Sequence, residues 1–183
     1  MSIDKITEVA VSLYAIAHSQ ITHIIDFIDK ICKKDFEEHI EFDKAKRNKI
    51  GLEFMFFFLH ITHRMAIRML KEETAWELKE EQKKIFMNHT MSSLIEDLEY
   101  KRKEFEIAIE LMLNERQLEY TKYKEFPMKD EGLKDTLLWE FGKHISEAAG
   151  YPMNIRLIMG ACEEAFTFID AINWKEWFNK FKK

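Results

Sequence analysis

Residues 3–31 read IDKITEVAVSLYAIAHSQITHIIDFIDKI. Apolar side chains return at Ile6, Val9, Ala10, Leu13, Ile16, Ala17, Ile21, Ile24, Ile28 and Ile31, the three-and-four spacing that lines one face of an α-helix. At ~1.5 Å per residue the stretch makes a rod about 43 Å long, the scale of a bundle helix. The rest of the chain is as free of backbone breaks. Among 183 residues there are five glycines and two prolines, where average usage predicts about 22 of the two together. No proline precedes Pro127, and Gly51 is the sole glycine before Gly132. Sheet folds need frequent turns built from these residues. A β-sandwich, a barrel, a Rossmann-type sheet, a collagen-like chain and a disordered tail are therefore excluded. The expected fold is all-α: a single-domain bundle over residues 1–183, with five or six helices, long at the N-terminus and short at the C-terminus. A content of 46% hydrophobic and 33% charged residues suits one soluble globular domain.

Working outward, Cys32-Lys33-Lys34-Asp35 interrupts the first apolar pattern, and Asp35 with Glu38 has the spacing of a capping box for a new start. A second helix begins as early as Phe36 and covers Lys44 to Leu70. Its centre, Leu52 to Ile67, is apolar nearly all round, which predicts a helix covered on every side, in the middle of the bundle or at a subunit interface. Its most apolar run, Leu52 to Ile61, contains Glu53 and His60 and is too short to span a bilayer, so no integral membrane segment is expected. Thr74 with Glu77 predicts a capped third helix from Ala75 to Tyr100, broken or kinked at Asn88–Ser93, where the side chains compete for backbone hydrogen bonds. A fourth helix covers Glu104 to Lys122, and Phe126–Gly132 is a loop. A fifth runs from Leu133 to Ala149, stopped by Gly150, and a sixth from Met153 to Ile172. Asn173 with Glu176 caps a last short helix from Trp174 to Phe181.

The formal net charge is −5. Nucleic-acid binding needs a basic stripe, and none is expected here: Lys44, Lys46, Arg47 and Lys49 spread around their helix beside Glu41 and Asp43. Lys180, Lys182 and Lys183 follow Trp174, Trp177, Phe178 and Phe181, which reads as a terminal helix docking its aromatics on the body rather than on a membrane surface. Cys32 and Cys162 are far apart and form no CxxC, which leaves a disulfide open and argues against a zinc knuckle. Charge from Asp4 onward does not fit a signal peptide, and a cytoplasmic location is expected.

No GxGxxG, GxxxxGK[ST] or GxSxG motif occurs. Chemistry would have to come from histidines and carboxylates on helices. Glu53, His60, His63 and Arg64 cluster on the second helix, with Glu53 and His60 two turns apart and His60 and His63 able to converge on one ion. His144, near Glu140 and Glu147 on the fifth helix, is the best further donor. Imidazole and carboxylate in this pattern suit zinc, iron or manganese. The same Glu53, His60 and Arg64 can instead close a structural hydrogen-bond network. The Glu-x-x-His pair of carboxylate-bridged bundles is absent, because Glu140 and His144 are one residue too far apart.

Arg116 shares a face with Phe105, Ile109, Met112 and Tyr120, so it calls for an internal carboxylate or an anionic ligand. Arg64 or Arg116 would then anchor a small hydrophobic or anionic ligand between helices. Fifteen phenylalanines and ten methionines suit an irregular core and an apolar interface. The expected function is that of a non-enzymatic helical protein acting through self-association or partner binding, as a homodimer formed through the first or second helix. Metal binding and small-ligand binding are the alternatives.

Overall fold

A computed structural model describes residues 3–36, 41–94, 102–124 and 132–182. Among the described residues 85% are helical, in seven α-helices with no strand, an all-α helical bundle as expected. α1 (Ile3–Asp35) is longer than the sequence pattern suggests. Cys32 does not interrupt it. The residue is buried one turn after Ile28 and continues the apolar face, while Lys33 and Lys34 sit where the helix dipole favours cations. Asp35 ends this helix rather than starting another, and its carboxylate receives Arg156 at 2.6 Å. Glu38 lies outside the described residues.

α2 (Lys44–Met69) is capped by Asp43, whose Oδ1 accepts the Lys46 N–H at 2.8 Å. Phe36 is not helical. Phe54 to Phe58 and Ile61 are buried, as the all-round apolar pattern demands. By length and composition α2 is apolar enough to cross a membrane, yet 72% of its most apolar window is buried inside the protein. The apolar stretch is thus longer than the ten residues first read, and the chain itself covers most of it.

α3 (Glu72–Leu94) begins before the predicted cap, with Glu72 and Glu73 placed in the first turn where the dipole favours carboxylates. Its backbone passes through Asn88–Ser93 without a break, and Tyr100 lies outside the described residues. α4 (Arg102–Tyr120) follows. α5 (Leu137–Ala148) starts later than predicted because Thr136 caps it, its hydroxyl accepting the Trp139 N–H at 3.2 Å. Gly150 stops it at φ +88°, as expected of a left-handed stop position. α6 (Ile155–Ala171) is capped by Asn154, and α7 (Trp174–Asn179) by Asn173, whose amide donates in turn to Glu176 at 3.1 Å. A 3₁₀ turn at Lys180–Lys182 closes the described chain.

The chain divides into two compact units, each assembled from separate stretches. The first comprises Met1–Ile16, Phe58–Glu119 and Asn173–Lys183; the second comprises Ala17–Phe57 and Tyr120–Ile172. In the second unit Phe57 stacks on Phe141 with ring centres 4.3 Å apart, and α5 lies tightly on α6. Gly142 permits that approach: a β-carbon there would stand 2.7 Å from the Ile158 carbonyl oxygen. The Cys162 thiol donates to the Leu138 carbonyl at 3.0 Å across the same contact. Both cysteines are free and buried, which removes the disulfide left open by the sequence. Burial pushes each thiol up to about 12, so neither is a nucleophile at neutral pH. In the first unit Trp174 packs against Phe58 and Phe178, and Lys180 reaches Glu8 at 3.8 Å, so the last helix is docked as predicted.

Candidate functional site

In the first unit α2, α3 and α4 bring several polar side chains together. α2 brings His60 and His63 to this region one turn apart. His60 Nδ1 donates to the Gln117 side-chain oxygen on α4 at 3.0 Å. Burial lowers the His60 imidazole to about 4 against the opposing pull of that hydrogen bond, with Arg64, His63 and Lys79 adding to the depression. His63 also falls to about 4, chiefly through burial and then through the charge of Lys79. Both rings are neutral at pH 7. His63 lies against Trp76 of α3 with ring centres 4.9 Å apart, and its Nε2 is buried without a hydrogen-bond partner among the described residues.

α3 supplies Trp76, Lys79, Gln82 and Lys83. Gln82 follows Leu78 by one turn and precedes Phe86 by another, so it occupies a core position. It is 1% exposed, and its Nε2 has no partner among the described residues. Lys83 spans to Glu110 of α4 at 2.6 Å. Between the helices lies a cleft of about 90 Å³, lined by Leu59, Leu113, Gln82, Gln117, Asn114 and the α3 charges Lys79, Glu80 and Lys83. Gln82 and Gln117 escaped the sequence reading, which weighed histidines and charges. The available signal was an amide in the apolar stripe Ala75, Leu78, Gln82, Ile85.

The proposed metal ligands are distributed differently. His60 and His63 belong to the first unit, Glu53 and His144 to the second. Glu53 and His144 are buried, and His144 meets Tyr120 edge-on with ring centres 5.9 Å apart. Glu140 is engaged by Lys143 at 2.7 Å. No group of three or more His, Cys, Asp or Glu side chains able to hold a metal ion occurs among the described residues. Arg116 pairs with Glu119 at 3.3 Å, which is the internal carboxylate its position called for. Arg64 is half-buried near His60 and acts on that ring through its charge. Neither arginine lines the cleft, so the ligand anchors chosen from the sequence are not the residues that surround this space.

No family model, curated protein or solved structure matches the chain. The functional reading therefore rests on the side chains themselves.

Proposed function

We propose that the protein acts without catalysis, by association, and that the outward face of α4 is the contact. Ile109, Leu113 and Tyr120 are the buried residues of α4. Ile107, Leu111 and Leu118 form a second apolar stripe, about 160° around the helix at roughly 100° per residue. They are 52%, 57% and 67% exposed. A helix apolar on two opposed faces has one face in search of a partner. This exposed stripe is the observation that carries the reading.

The favoured occupant is a second copy of the chain. Ile107, Leu111 and Leu118 stand four and seven residues apart, a spacing that keeps them on one seam of a two-helix pairing. Two copies of α4 running in opposite directions bring each Ile107 to the partner's Leu118, so that the apolar stripe covers itself. This choice replaces the first or second helix as the contact, because most of the apolar centre of α2 is already covered.

Sedimentation equilibrium on the full chain tests the proposal. A dimer at micromolar concentration, converted to monomer by Leu111→Lys with the helical circular dichroism retained, is the expected result. A monomer at every concentration, or a dimer that Leu111→Lys leaves intact, overturns it.

A further inference from the structure

Beyond association, the cleft between α3 and α4 has the makings of a binding site. Gln82 is the key. A buried amide hydrogen without an acceptor costs about 1–3 kcal/mol, and Gln82 keeps one at a position that an apolar residue would fill without that cost. Lys79 stands one turn earlier on the same wall, its ammonium 4.3 Å above the Trp76 ring, with no carboxylate within 4 Å among the described residues. Lys83 differs, being already matched by Glu110. Asn114 and Gln117 add amides to the opposite wall, and Leu59 and Leu113 supply apolar surface.

We infer that this cleft binds a small monocarboxylate, its oxygens held by Gln82 and Lys79 and its short aliphatic part laid on Leu59 and Leu113. Charge and size choose this class. One unmatched ammonium balances one negative charge, and Glu80 in the lining opposes a dianion such as phosphate, while Lys83 is already neutralised by Glu110. A volume of about 90 Å³ suits a ligand of a few carbons and is well below the roughly 300 Å³ and upward of pockets for larger molecules. Burial of Lys79 and the neighbouring charge of Lys83 lower its affinity for a proton, despite Glu80. A bound carboxylate would offset both effects.

The experiment is a titration of the full-length protein with acetate, propionate, butyrate and inorganic phosphate at constant ionic strength, read by calorimetry and by amide chemical shifts. Propionate is expected to saturate, with shifts centred on residues 79–83 and 113–117. Lys79→Met and Gln82→Met are each expected to weaken it about tenfold, the loss of one charge-assisted or buried hydrogen bond. Lys79→Met alters a partly exposed side chain, and it keeps the test decisive if Gln82→Met perturbs the fold. No saturation up to 50 mM, equal affinity in Lys79→Met, or tighter binding of phosphate than of propionate each overturns the inference. So does a crystal grown in propionate whose cleft holds only water on Gln82.

Discussion

The contact of α5 with α6 and the contact of α3 with α4 use the same secondary structure to opposite ends. In α5 nine of twelve residues are buried, and Gly142 lets its backbone close on the Ile158 carbonyl. Across that contact Cys162 donates to Leu138. In α4, by contrast, Ile109, Leu113 and Tyr120 are the buried residues of a nineteen-residue helix. Long side chains meet between α3 and α4: Lys83 reaches across to Glu110, and the space behind them retains an amide hydrogen without an acceptor. A glycine contact excludes water and fixes geometry; a contact propped by long polar side chains leaves room for a ligand. The first arrangement serves stability, and the second leaves stability unspent at a place where binding can use it.

The largest expected contrast is in acid. His60 has a folded value of about 4, below the ordinary 6.5. The unfolded chain therefore takes up a proton near pH 6.5 that the folded chain refuses until about pH 4. Stability is complete above about 6.5, falls as pH drops through that window, and levels off below 4. For His60 the loss is on the order of 3 kcal/mol. His63 adds less, because solvent screens its half-buried ring. Urea unfolding at pH 7 and pH 4.5 measures the fall, and His60→Phe should remove most of it. A wild-type midpoint that is flat over this interval would mean that His60 titrates normally.

Gly142→Ala probes the other contact and should cost about 1–2 kcal/mol by thermal unfolding. The added β-carbon meets a backbone oxygen at 2.7 Å and two side-chain atoms at 3.0 Å, so α5 and α6 must part. Overpacking of this kind costs about 1–3 kcal/mol, and the better helix propensity of alanine offsets at most about 1. An unchanged or raised melting temperature would show that the helices separate easily, and the contrast with α3 and α4 would lose its basis.

How much of this was legible depends on the kind of signal. The period of α1, the stop at Gly150 and the Asn173–Glu176 cap are local, and local chemistry specifies them. Cys32 and Asn88–Ser93 misled for a common reason: a residue type was read as a break although its position suited a helix. The buried Cys32 and the unbroken α3 backbone show tertiary packing prevailing over propensity. The His60–Gln117 bond joins residues 57 apart, so helix spacing named the histidine but could not name its partner. Gly142 carried no local signal at all, since its role depends on a carbonyl of another helix.

The smallest expected effect is also the most discriminating within a single helix. Leu118 and Leu113 share α4, yet Leu118 is 67% exposed while Leu113 is buried beside the cleft. Leu113→Ala should lose about 2–5 kcal/mol, the ordinary cost of a core leucine. Leu118→Gln should change the stability of the isolated chain by less than about 0.5 kcal/mol. Measured in dilute solution by urea unfolding, a near-zero change means the folded monomer makes no use of this side chain. Repeated at a concentration where the wild type associates, the same substitution should lower the melting temperature, because a partner that binds only the folded state stabilises it by mass action. Equal behaviour at both concentrations would assign Leu118 to ordinary solvated surface and leave the α4 stripe without a partner. A loss of more than about 2 kcal/mol in dilute solution would instead place Leu118 in the chain's own packing.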